Sequence, residues 1–323
     1  MLNLKEKFQS LKFEKYRFNL LFQDDISIPS YKGALLRGAF GYMLRKIFCV
    51  QRQIKLCEDC IMKESCVYSY LFETPNLKKE VYFLSLKTSV PHPFVLEPHL
   101  DEKTQYKAGE IFQFDLILIG KAINYLPYVV FAFREIGRKG LGSSHAKYRL
   151  DSVSLLKNNK EFTIFDGSTE LFKEIPQEDL CSTNDEKTIK GNNLNLNFLT
   201  PTRIKEKKDL IVEPQFSNII KSLLIRLSLL SNFHCDSKIE LDLKSLVEKS
   251  RSIKINHSNL RWNDWTHFSS RLKEKIILGG FTGNISFNGE IKEWLPLIEL
   301  GEALHIGNGT SFGLGRYKID WDY

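Results

Sequence analysis

The sequence predicts an α+β protein in which one order of elements occurs twice. Three observations predict it. Each half begins with a strand-like segment, each strand is followed by a helix-period segment, and each half ends in a glycine-rich turn leading into a strand. Strand, helix, strands, helix, glycine turn, strand is the order of a ferredoxin-like (RRM-like) unit, so two such domains in tandem are expected. The first spans 1–166 and the second 194–323. The polar stretch 167–193, with Pro176 and the tract STNDEK, reads as a linker or long loop.

The opening segment, 11–24 (LKFEKYRFNLLFQD), alternates as a strand does. Pro29 and Ser30 then introduce a helix over 31–48, with Leu36, Phe40, Met43 and Ile47 on its core face. Arg37, Gly41 and Arg45 recur at four-residue spacing on another face, a basic stripe with a gap. Its plain reading is a solvated face. A glycine inside a helix costs about 1 kcal/mol relative to Ala. Gly38 and Gly41 together therefore predict a close approach to that backbone. Strand character over 80–97 is broken by Pro91, Pro93 and Pro98, and 111–120 (IFQFDLILIG) is a strong strand. A helix over 125–138 ends in the turn GRKGLGSSHAKY, followed by strands at 148–156 and 161–166. The second half reads as a strand over 194–204, a helix within 214–234 and a β-rich stretch over 276–292. A short helix, 294–304, the loop GNGTSFGLG (307–315) and a last strand over 316–321 complete it.

At 323 residues the length suits two domains, and 42% apolar content is enough for two cores. The net charge of +7 is compatible with a polyanionic partner without identifying one. No signal peptide and no apolar run near the roughly 18 residues that span a bilayer is visible, so a soluble cytoplasmic protein without a membrane partner is expected. In that compartment Cys49, Cys57, Cys60 and Cys66, spaced C-x7-C-x2-C-x5-C, read as a metal site rather than disulfides. Four thiolates satisfy one structural zinc or one iron–sulfur cluster, and the spacing leaves both open. Buried free thiols are the alternative. The segment 49–66 is expected to be a Cys-rich insertion in the first domain. Cys181 and Cys235 stand apart as ordinary residues.

The last loop places Gly307, Gly309, Gly313 and Gly315 within nine residues, after His305 and before Arg316. Such density lets backbone N–H groups converge on an anion and lets a nucleotide chain lie against the main chain. It lacks the Lys-Ser/Thr ending of a Walker loop and precedes a strand, which argues against a dinucleotide fold. The stretch PLIELGEALHIGNGTSFGLGRYKI (296–319) resembles the C-terminal signature of the CRISPR-associated repeat-processing endoribonucleases of the RAMP superfamily. LRWNDWTHFSSRL (260–272) and LGGFTGNISFNG (278–289) match that family in order and spacing. SYKGALLRGAFGYMLRKIFC resembles its N-terminal helix, CEDCIMKESCVYSYLFET its cysteine segment and FREIGRKGLGSSHAKYRL its internal turn.

The resemblance implies two RRM-like domains clamping a CRISPR repeat RNA, with cleavage that needs no metal or other cofactor. The 2′-OH attacks the adjacent phosphate, leaving a 2′,3′-cyclic phosphate and a 5′-OH, with help from a base, an acid and a cation. His305 is the expected acid/base, because histidine titrates near neutrality. Tyr42 stands where relatives often carry a catalytic His, and Asn308 where they commonly carry Lys. Arg37, Lys32 and Arg316 are the cations that would compensate. Arg45, His145 and His267 are expected RNA contacts beside Lys32, Arg316 and the four glycines. A non-catalytic RNA-binding RAMP subunit within a CRISPR effector complex is the second reading.

Overall fold

A computed structural model describes residues 4–76, 89–174, 192–207, 209–269 and 274–320. One unit comprises Lys12–Asn184 with Phe233–Cys235; the other comprises Met1–Leu11, Asp185–Asn232 and Asp236–Tyr323.

In the first unit Phe13–Phe22 (β1) alternates as its sequence demands, sending Tyr16, Phe18, Leu20 and Phe22 into the core. Helix α1 is Gly33–Phe48, followed by Phe94–Pro98 (β2), Ile111–Ile119 (β3), Leu126–Lys139 (α2), Tyr148–Lys157 (β4) and Lys160–Asp166 (β5). The antiparallel sheet runs β2-β3-β1-β4-β5, with Leu171–Phe172 at its edge. Its first four strands have the ferredoxin-like order, and β5 extends it. Phe40 of α1 stacks on Phe133 of α2, with centroids 5.2 Å apart, and Phe133 also packs on Phe18 and Phe114. Burying each of these rings contributes about 1.5–3 kcal/mol. The other face of β1 bears Lys15, Arg17 and Asn19, which bond to Glu97, Asp115 and Ser152 on neighbouring strands.

The second unit repeats the plan. Asn193–Thr202 (β6) leads to helices Phe216–His234 (α3) and Leu243–Ser250 (α4), then Lys254–Asn263 (β7). The hairpin Thr266–Ser269 (β8) and Glu274–Ile277 (β9) precedes Gly280–Asn288 (β10), Leu295–Leu304 (α5) and Tyr317–Asp320 (β11). The sheet order β7-β10-β6-β11 is again ferredoxin-like. The tandem α+β expectation therefore holds, with most strand and helix limits within a few residues of those read from the sequence. Of the stretch 80–97, residues 89–93 are not strand, and the strand begins at Phe94. Among the elements not expected are α4 and β7. Helix α4 is short, and most side chains of β7 are exposed, so neither has a buried stripe to mark it. Much of 167–193 and part of 80–97 lie outside the described residues, as does Cys181. Among the described residues, no helix is long and apolar enough to cross a membrane.

Candidate functional site

The gap in the basic stripe of α1 is filled from inside the same unit. A Cβ on Gly41 would lie 2.1 Å from Phe72, so the glycine exists to let that ring lie against the helix backbone. Gly38, by contrast, faces open space. Phe72 belongs to the π-helical turn Ser69–Glu73, which follows the cysteine segment. The Arg37 guanidinium sits 4.4 Å over the Phe72 ring, and Phe72 stacks on Tyr68, above which lies Arg45. Arg45 also donates to the Ile54 carbonyl at 3.0 Å. The stripe is thus built into the fold by cation–π contacts rather than solvated along its length. Tyr42, 64% exposed, projects from the same helix with Lys46 beside its ring.

Residues that composition and spacing did not single out complete this corner. Arg37 Nη2 lies 3.3 Å from Nε2 of the partly exposed His92, in the loop before β2. His92 Nδ1 is 2.8 Å from Thr74 Oγ1, and the Thr74 hydroxyl donates to the Tyr70 carbonyl. Lys32, expected at an RNA surface, is instead fully buried. Its ammonium bonds to the Ser30 carbonyl and to the carbonyl and carboxylate of Asp101. Those bonds close the loop ahead of α1 and leave no face of the ammonium for phosphate.

In the second unit all four loop glycines have positive φ, between 73° and 88°. A Cβ on Gly315 would lie 1.8 Å from the Ile306 carbonyl oxygen, and one on Gly307 2.4 Å from that of Arg203. The main-chain path alone therefore demands glycines there, so a tight structural turn explains the density that pointed to anion binding. Gly313 and Gly315 are buried, whereas Gly307 and Gly309 are partly exposed and Asn308 fully so. Phe312 is partly exposed as well.

His305, the expected acid/base, has no exposed surface. Its φ is +63°, and Nδ1 lies 3.0 Å from the Leu314 carbonyl oxygen. This geometry ties the loop's entry to its exit, which is the work of a positioning residue. Beneath it, Arg226 of α3 donates to the carbonyls of Leu304 and His305, ending α5. Burial pulls the Arg226 guanidinium down to about 10. The Arg316 amide donates to Thr200 Oγ1 at 2.9 Å and its side chain is partly exposed. His267 lies in β8 opposite Ile276, with its side chain outside the described residues.

The turn of the first unit is more open. Gly140 and Gly142 have positive φ, His145 is exposed at φ +52°, and Arg138, Lys139, Lys147 and Arg149 around it are exposed. The four cysteines are free and line one cavity of about 170 Å³, with Phe48, Ile54 and Val67 among its other walls. Burial, with smaller contributions from Glu73 and the neighbouring thiols, pushes Cys57 up to about 11, toward the protonated form. Among the described residues no three His, Cys, Asp or Glu side chains are arranged to hold a metal ion. The zinc or iron–sulfur expectation therefore finds no support among the described donors, although the four thiols share one cavity.

The fold is thus a tandem of two ferredoxin-like units, with a glycine loop before the last strand. Residues 196–317 match the family model for the CRISPR-associated endoribonuclease Cas6, and residues 11–179 match a second family model, AF_1859_N, described as an N-terminal domain. The second unit thus carries the CRISPR-associated endoribonuclease Cas6 match, and the first unit carries the separate N-terminal-domain match. Solved structures that share the fold include the following. A Cas6 (TTHB231) product complex has TM-score 0.55 and 17% identity, over 95% of this chain and 99% of that one. Thermus thermophilus Cas6 (TTHB231) has TM-score 0.51 and 18% identity, over 96% and 99%. A partial Cas6-RT-Cas1–Cas2 complex has TM-score 0.53 and 13% identity, over 97% of this chain and 46% of that one. None of the curated proteins compared matches the sequence.

Proposed function

We propose that this chain is an endoribonuclease that binds CRISPR repeat RNA and cuts it by attack of a ribose 2′-OH on the adjacent phosphate, without a metal ion. The observation that carries this reading is the match of the second unit to the Cas6 endoribonuclease model; the first unit matches a separate N-terminal-domain model. The TTHB231 neighbour, itself captured as a product complex, has the same overall fold. The chemistry needs a cation beside the phosphorane and groups that move two protons. On α1, Arg37 supplies a guanidinium and Tyr42 an exposed hydroxyl. The basic turn around His145 and the exposed Gly307–Gly309 segment with Arg316 are the surfaces for the RNA backbone.

Tyr42 and Asn308, standing where relatives often carry His and Lys, favour a second reading, an RNA-holding subunit of a CRISPR effector complex. End-labelled repeat RNA incubated with the protein in EDTA separates the two. Cleavage leaving a 2′,3′-cyclic phosphate supports the nuclease. Salt-sensitive binding without a cut supports the holding subunit.

A further inference from the structure

We infer that His92 is the general base of this site and that Arg37 is the phosphate-binding cation beside it. The inference rests on the nuclease reading and adds a residue that no expectation placed in the site. The hydrogen-bond pattern fixes the proton on the ring. Arginine has only donors, so Nε2 facing Arg37 Nη2 at 3.3 Å accepts. The imidazole is then neutral, and its proton sits on Nδ1, donated to Thr74 Oγ1 at 2.8 Å. The Thr74 hydroxyl passes its own proton toward the Tyr70 carbonyl at 3.3 Å. This chain orients a basic lone pair toward a guanidinium, which is the orienter–base arrangement that proton abstraction requires.

Backbone irregularities converge on the same place. The π-helical turn Ser69–Glu73 ends at Thr74, a non-glycine residue with φ +48°. Such turns and such φ values concentrate at functional sites, because their cost persists only where the surroundings enforce it. Phe72, seated on Gly41, lies under Arg37 and stacks against His92 at 6.2 Å and 24°. One ring therefore holds both groups. Of the other histidines whose side chains are described, His234 and His305 are buried, and His99, His145 and His257 are exposed.

When RNA binds, the scissile phosphate offers Arg37 a charge-assisted, bidentate partner stronger than a neutral imidazole. Nε2 is released to take the 2′-OH proton. The O2′–H bond breaks as O2′–P forms, the P–O5′ bond breaks, and the leaving oxygen takes a proton from water. His92 returns its proton to water afterwards.

The test is single-turnover cleavage of a labelled repeat RNA in EDTA by wild type, His92→Gln and His92→Ala, with RNA affinity and thermal melting measured alongside. We expect both variants to melt near wild type, to bind RNA within a few-fold, and to cut about 10²–10⁴-fold more slowly. Added imidazole should restore part of the His92→Ala rate, increasing with pH as neutral imidazole accumulates. Wild-type-like cutting by His92→Ala overturns the assignment and leaves the nuclease reading intact. Slow cutting without imidazole rescue and with an unchanged pH profile makes His92 structural, and also overturns it. A wild type that binds but never cuts defeats the nuclease reading itself.

Discussion

Arg226 donates Nε to the His305 carbonyl at 3.1 Å and Nη2 to that of Leu304 at 2.9 Å, so a buried guanidinium ends one helix and launches the glycine loop. His305 has positive φ at this junction, a conformation costing about 1–3 kcal/mol in a non-glycine residue and kept only where neighbours enforce it. Replacing Arg226 with Met keeps much of the volume and strands those carbonyls. It should cost about 2–4 kcal/mol of stability, read by urea denaturation. Unchanged or increased stability would mean that relief from burying the charge outweighs the capping.

Glycines that look alike in sequence should respond in opposite directions. Gly38→Ala, in open space on α1, should stabilise by about 0.4–1 kcal/mol. Gly315→Ala drives a Cβ into the Ile306 carbonyl at positive φ, and Gly41→Ala drives one into Phe72, although there the ring can move. We expect a loss above ~2 kcal/mol for Gly315→Ala and a smaller one for Gly41→Ala, compared by thermal melting.

That contrast marks how far the sequence was legible. The periodicity of 11–24 and 111–120 and the helix-period stripe of 31–48 are direct consequences of burying one face, so they could be read. The glycine pairs showed that something approaches the backbone, but not what. The answer at Gly41 is Phe72, whose ring arrives from a π-helical turn that leaves no period in the sequence. His92 sits between Pro91 and Pro93 without any motif, and its role follows only from its nearness to Arg37. His305 and Lys32 carried the right chemistry in the right segments. Burial, which no local pattern reports, removes both from the surface.

The Lys32–Asp101 pair predicts an acid-sensitive entrance to α1. Burial works to raise the Asp101 carboxyl, but the hydrogen bond and charge of Lys32 outweigh it and hold the group below the usual carboxylate range. A depressed pKa contributes stability that is present above the unfolded value, near 4, and is lost as pH falls through the lower folded value. Asp101→Asn should therefore cost about 1–2 kcal/mol at neutral pH, because Asp101 is half exposed and screened. The difference from wild type should shrink below pH 4, followed by urea titration at a series of pH values. A constant difference across that range would show that the carboxylate charge is not what holds Lys32.

Phosphate contacts by the turn around His145 predict a graded loss of affinity. Lys147→Ala and Arg149→Ala should each weaken RNA binding several-fold and flatten the plot of log affinity against log salt by nearly one charge, with melting unchanged. An unaltered salt slope in the double variant would move the RNA path off this turn.

The central claim is that the RNA's own 2′-OH is the nucleophile, and one substrate tests it most directly. After the cut is mapped in a repeat RNA, the same RNA is made with a single 2′-deoxy nucleotide immediately upstream of the scissile phosphate and incubated with wild type in EDTA. The account predicts binding within a few-fold of the all-ribose RNA and no cleavage at that bond. Cleavage of the deoxy substrate at the same bond would contradict it, because the nucleophile would then have to be water.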